Sequence, residues 1–160
     1  MRYAFPLNRL LHQFKYQQDL AAGALLSGLL LQATEPPAVL PDSMIAMPMH
    51  AHRLQQRGFN HALEIAKVIQ SEWKIPLITD GCSRLTDTPT QARLDLKTRI
   101  LSLRSAFATE KNWQGKHVLI VDDVMTTGAS MHALAKTIKR AGARQVTALV
   151  LARTLKEAID

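Results

Sequence analysis

The residues best equipped for chemistry stand in one run, Val118-Leu-Ile-Val-Asp-Asp-Val-Met-Thr-Thr-Gly-Ala-Ser130. Two adjacent carboxylates, Asp122 and Asp123, end an apolar stretch that reads as a buried strand. In an open α/β sheet, ligands bind at the carboxyl ends of strands. Thr126, Thr127, Gly128, Ala129 and Ser130 follow and lead into a helix. The first amides of a helix have no intrahelical partners, and the helix end carries partial positive charge. Three hydroxyls, and a glycine that permits close approach, complete a cradle for a phosphate. Carboxylates beside such a cradle suit a ligand with a phosphate at one end and a vicinal diol in the middle. The hydroxyls donate to the carboxylates while the amides hold the phosphate. A ribose 5-phosphate group has that layout.

Each of these features alone is an ordinary turn, cap or strand end. The combination is far more specific. Two rival motifs fail. No G-x-x-x-x-G-K-[ST] string exists for a nucleotide-binding P-loop. A receiver domain also carries an acidic pair after an apolar strand, but its phosphoaccepting Asp lies well downstream. Here only 37 residues follow Asp123, and their only acids are Glu157 and Asp160.

The elements that must position this run form a βαβ unit. Lys116–Val121 reads as a buried parallel strand, Met131–Ala141 as a helix, and Gln145–Ala152 as the next buried strand. Upstream, residues 1–31 read as helical, with Leu7, Leu10, Leu11 and Phe14 at helical spacing and a 12-residue apolar stretch from Leu20 to Leu31. Pro36, Pro37 and Pro41 break that pattern. Met44–Met49 reads as a short buried strand whose methionines fill core, and residues 50–59 as a polar loop. Asn60 is placed to cap a helix over His61–Trp73. A short strand is expected at 75–79 or 82–85, and no clean period holds over 86–104. His61 and His132 read as helix-surface residues. Neither His50-x-His52 nor Cys82 has the neighbours that a metal site or an activated thiol needs.

The 160 residues favour one domain. With 47% hydrophobic and 21% charged residues, composition excludes a mainly disordered or fibrous chain. The net charge of +7 suggests an anionic partner. Residues 1–50 carry three basic and three acidic side chains, so the excess lies in the later two thirds. A single cysteine rules out an intramolecular disulfide and a cysteine-based zinc site, and fits a reducing cytoplasm. The Leu20–Leu31 stretch is too short to span a bilayer. Asp19 precedes it and no small-x-small cleavage site follows closely, so it reads as a buried helix, not a signal-peptide core.

VLIVDDVMTTGAS resembles the signature of type I phosphoribosyltransferases, which bind 5-phosphoribosyl-1-pyrophosphate (PRPP). Met47-Pro-Met-His50, Arg53 and Arg57-Gly-Phe-Asn60 are similar to a segment of the ComF-type competence proteins, also called the GntX-like family. Thr88-Pro-Thr-Gln91, Leu94, Arg99 and Phe107 resemble that family's T-x-x-Q-x-x-L…R…F run, and Lys15-Tyr16 and Ala152-Arg153 fit as well. The resemblance covers nearly the whole chain. Family members commonly begin with a four-cysteine zinc finger, which these residues do not include. They also tend to carry Asn where this chain has Ser102.

The resemblance implies a type I phosphoribosyltransferase fold, an α/β architecture with a twisted, mainly parallel sheet flanked by helices. Residues 1–40 would form a small helical hood and 41–160 the core, one domain overall. Asp122 and Asp123 would hold the ribose hydroxyls near the positive charge that develops as pyrophosphate leaves. Thr126, Thr127, Gly128, Ala129 and Ser130 would hold the 5-phosphate, and Arg53 and Arg57 the pyrophosphate. Segment 86–104 resembles the mobile loop that closes over PRPP, with Arg93, Lys97 and Arg99 to reach the leaving group. Mg²⁺ would be held through PRPP, with Asp122 and Asp123 as the protein groups nearest it.

Three functions share this site: a phosphoribosyltransferase, a non-catalytic PRPP-binding protein that handles single-stranded DNA with the competence machinery, and a PRPP-sensing regulator. Aromatic residues do not interleave with basic ones along the chain, so no stacking platform for single strands is evident. The acceptor, and whether the chain forms a homo-oligomer, stay open.

Overall fold

In the computed structural model, which describes residues 1–86 and 106–154, the chain builds a parallel sheet covered by helices on both faces. In chain order the elements are α1 (Leu7–Tyr16), α2 (Leu20–Gln32), β1 (Ser43–Ala46), α3 (Ala51–Arg57), α4 (His61–Trp73), β2 (Ser83–Arg84), β3 (Phe107–Ala108), β4 (His117–Met125), α5 (Ala129–Arg140) and β5 (Gln145–Arg153). The sheet order is β1-β4-β5, all parallel, with Ala46 opposite Val121 and Asp122 opposite Val150. Leu77 adds a parallel bridge outside β1 at Met44, and Arg2 adds one outside β5 at Arg153. Separately, β2 and β3 pair antiparallel.

The alternation along β4 explains why the sheet is covered twice. Side chains of a strand point to opposite faces in turn. Leu119 and Val121 pack with Met44 of β1, Leu11 and Phe14 of α1, Leu26 and Leu30 of α2, and Ile65 and Ile69 of α4. Val118 and Ile120 pack on the other face with Ile45, Trp113, and Met131, Leu134 and Ile138 of α5. Such a central strand is apolar on both sides, as its continuous hydrophobic run requires.

Residues 1–31 divide into two helices where Asp19 accepts a hydrogen bond from the Ala22 amide at 3.0 Å and caps α2. The two helices then cross closely at Gly23. A Cβ there would come within 2.8 Å of Phe14 Cδ2. Gly23→Ala is therefore expected to cost about 1–3 kcal/mol through overpacking, read as a lower midpoint in urea denaturation. An unchanged midpoint would mean that the Phe14 ring moves aside freely.

Two expectations are corrected. Residues 50–59 are not a loop: Ala51–Arg57 forms α3, whose N-cap His50 accepts from the His52 amide at 3.3 Å. No residue of α3 is buried, so it has no apolar periodicity to read. The strand carrying the two aspartates does not stop at Val121 but runs to Met125, because β5 stays paired with it as far as Arg153. Helix α5 accordingly starts at Ala129, two residues before Met131. Both positions considered for a short strand carry pairing, Leu77 by one bridge and Ser83–Arg84 as β2. No helix among the described residues is long and apolar enough to cross a membrane.

Candidate functional site

β1 ends at Ala46, opposite Val121, while β4 continues. Asp122 and Asp123 thus lie just past the carboxyl end of β1, on a stretch of β4 held by β5 alone. This offset makes the crevice in which open α/β sheets bind ligands. The Asp122 carboxylate accepts the Asp123 amide at 2.9 Å, and the Asp123 carboxylate accepts the Val124 amide. The second oxygen of Asp123 pairs with the Lys15 ammonium at 2.9 Å, with the two side chains only 18% (Lys15) and 13% (Asp123) exposed.

Burial pushes the Asp122 carboxyl up to about 7, and the neighbouring Asp123 charge adds to the rise. The Asp123 amide, Lys15 and Arg84 oppose it. Asp122 therefore gains and loses a proton near neutrality, as a group poised for hydroxyl recognition or proton exchange does.

Past Met125 the chain turns through Thr126 and Thr127, both exposed, into α5. Gly128 stands at the N-cap with φ +77°, a left-handed conformation that glycine adopts without steric cost. It has no side chain, so the N-cap residue itself makes no side-chain cap bond to α5. The Thr127 hydroxyl accepts from the Ala129 amide at 3.4 Å. Thr126, Thr127, Gly128, Ala129 and Ser130 thus form one exposed to half-buried corner immediately beyond the aspartates.

Arg53 and Arg57 sit one helical turn apart on α3, which leaves the carboxyl end of β1. With Lys15, Tyr16, Gln18 and Gln56 they line a cavity of about 300 Å³. Three of these six residues are cationic and none is acidic. The Arg57 guanidinium lies 5.4 Å from the centroid of the Tyr16 ring, and His12 stacks beside Tyr16 at 4.7 Å. Asn60 ties this corner together. Its oxygen accepts the Ala62 and Leu63 amides at 3.0 and 3.4 Å and caps α4, and its amide donates to the Met47 carbonyl at 3.0 Å.

His61 is not the surface residue its position suggests. It is fully buried at the start of α4, edge-on to Phe14 at 4.9 Å and beside Phe59 at 4.7 Å. Neither ring nitrogen has a hydrogen-bond partner among the described residues. Burial pushes the imidazole down to about 4, helped by Arg57 and Lys15. Asp123 and the Phe14 backbone oppose the fall. His132 is exposed, as its place on α5 suggests. Burial also pushes the Cys82 thiol up, away from the reactive thiolate.

Arg93, Lys97, Arg99 and Ser102 lie outside the described residues. Of the remaining expected site residues, the fold gathers all at one edge of the sheet. Residue-type reasoning missed three neighbours. Lys15 on Asp123, Arg84 near Asp122 and Tyr16 beside Arg57 are each separated from their partners by tens of residues along the chain. Only the Lys15-Tyr16 resemblance marked two of them.

Comparisons with known proteins bear on the same region. Residues 57–159 match the phosphoribosyl transferase domain family. A DNA utilization protein YhgH from Salmonella typhi is 35% identical over 164 residues, 96% of this chain and 70% of that protein. The competence protein F of Haemophilus influenzae is 30% identical over 159 residues, 94% of this chain and 69% of that protein. Among solved structures, the glutamine PRPP amidotransferase from Bacillus subtilis superposes with a TM-score of 0.54 at 19% identity, over 81% of this chain and 26% of that one. That likeness carries the fold. The chain belongs to the phosphoribosyl transferase domain family, as a member of its ComF-type branch.

Proposed function

We propose that this chain binds PRPP and transfers its phosphoribosyl group to an acceptor, releasing pyrophosphate. The observation that carries the reading is the joint placement of Asp122 and Asp123, the Thr126–Ser130 corner and the basic cavity of α3 at one sheet edge. Asp122 and Asp123 accept the ribose 2- and 3-hydroxyls. Their charge stabilises the oxocarbenium-like carbon as the bond to pyrophosphate breaks. Thr126, Thr127, Gly128, Ala129 and Ser130 hold the 5-phosphate. Arg53 and Arg57 take pyrophosphate oxygens with their planar forks. Residues 1–40 act as the hood over residues 41–160. The single cysteine supports a place in the reducing cytoplasm.

The donor set fits magnesium held mostly by ligand oxygens and water. Two adjacent carboxylates offer hard oxygens, whereas no group of three His, Cys, Asp or Glu among the described residues cages a metal alone. When bound, magnesium would offset the charge of the departing pyrophosphate.

A second reading rests on Tyr16. The residue is 62% exposed and shares the cavity with three cations, which combines a stacking face with a basic groove. Such a surface suits single-stranded DNA, and the relatives bear the names DNA utilization protein and competence protein. A PRPP-sensing regulator would use the same phosphoribosyl site without turnover.

Calorimetric titration of PRPP with Mg²⁺ tests the first reading. Micromolar binding is expected, followed by pyrophosphate release once the acceptor is supplied. A folded chain that does not bind PRPP overturns it. Titration with a single-stranded oligonucleotide tests the second, and there the affinity should fall steeply as salt rises.

A further inference from the structure

An anionic ligand placed beside Asp122 and Asp123 meets like charge, and the fold answers with a cation from a distant element. Lys15 lies in the last turn of α1, and its ammonium lies 2.9 Å from Asp123 Oδ2. The same side chain lines the cavity with Arg53 and Arg57. It is therefore common to the carboxylates and to the basic cavity, the two halves of the site. Its position is fixed from behind. Phe14, the preceding residue, is fully buried between Gly23 and His61. An ammonium has three donors, so a pair with one carboxylate oxygen leaves hydrogens for a second acceptor.

We propose that Lys15 is a ligand-binding residue, the third cation of the pyrophosphate subsite, contributed by the N-terminal helical layer. It grips an oligophosphate oxygen while keeping Asp123 paired, and so joins the anionic and hydroxyl-bearing ends of a ribosyl ligand. The assignment rests on the phosphoribosyl reading above for its ribose half, and on the cavity alone for its phosphate half.

The test titrates inorganic pyrophosphate and PRPP, each with Mg²⁺, into the wild type, Lys15→Met, Lys15→Arg, Asp123→Asn and the Lys15→Met/Asp123→Asn double variant. Circular dichroism checks that each is folded. Lys15→Met should weaken pyrophosphate binding about tenfold, as loss of one charge-assisted contact does. Lys15→Arg should restore binding to within about threefold, because the charge remains. The tenfold loss should persist in the Asp123→Asn background, since a ligand contact does not depend on the carboxylate. If Lys15→Met binds pyrophosphate like the wild type, or its effect disappears once Asp123 is Asn, the assignment is overturned. In the latter case Lys15 acts only through the carboxylate. If the wild type binds pyrophosphate but not PRPP, the phosphoribosyl reading fails, and the Lys15 comparison is still decided on pyrophosphate. Binding of neither ligand by the folded wild type overturns both.

Discussion

Replacing either Asp122 or Asp123 with Asn is expected to weaken PRPP binding ten- to a hundredfold, and replacing both to abolish it in calorimetry. In the proposed complex each carboxylate would make a charge-assisted hydrogen bond worth about 1.5–3 kcal/mol, and about 1.4 kcal/mol is a factor of ten. The two variants should differ in stability. Asp122 is half-buried and takes up a proton near neutrality, so an uncharged Asn resembles its protonated form. Its fold should be unharmed at pH 7 or slightly stabilised. Asp123→Asn leaves the Lys15 ammonium, 18% exposed, without its carboxylate, and should lower the melting temperature. Wild-type affinity for PRPP should also rise with pH through about 7, as Asp122 becomes a full acceptor, and this dependence should vanish in Asp122→Asn. Retention of wild-type affinity in the double variant would remove the aspartates from the site.

The second large effect concerns folding. His61 titrates near 4 in the folded chain against 6.5 when free, so between those values the unfolded chain binds the extra proton. The buried neutral ring therefore contributes stability that is fully present above pH 6.5 and is lost as pH falls through about 4. The shift corresponds to about 3 kcal/mol. Asp122 acts with the opposite sign. Its folded value is raised, so its contribution is present below 3.8 and is lost as pH rises through about 7. The two slopes offset one another in the wild type, which makes the difference from His61→Phe the informative quantity. Phe keeps the contacts with Phe14 and Phe59 without a titrating nitrogen. Urea denaturation of both proteins at pH 7.5, 6, 5 and 4 should show the wild type losing about 3 kcal/mol relative to the variant on acidification. Parallel pH profiles would mean that the ring is protonated as easily in the folded chain as in the unfolded one.

Most of the frame was legible because it follows from local rules. The apolar run Val118–Val121 could only be a strand covered on both faces, and the structure covers it with α1, α2 and α4 on one side and α5 on the other. Asn60 before an amphipathic stretch announced α4, whose bounds are those expected. The Asp-Asp and Thr-Thr-Gly pattern located the strand end and helix start to within a few residues. Where reading stopped, a reason is visible in each case. Helix α3 buries nothing, so its residues carry no hydrophobic period. The extra length of β4 comes from its partner β5, whose pairing continues after β1 has stopped.

The sequence, with the family resemblance adding the arginines after the first strand, thus marked the candidates for holding a sugar phosphate: an acidic pair at a strand end, and hydroxyls and a glycine at a helix start. Those assignments depend on neighbours only a few residues apart, so spacing along the chain carries them. The tertiary structure decided what surrounds them. Lys15 reaches Asp123 across 108 positions, Tyr16 meets Arg57, and Phe14 and Phe59 close over His61. These charges and rings come together only because α1 packs on the sheet beside α4, and no periodicity within a segment records which distant segment will cover it.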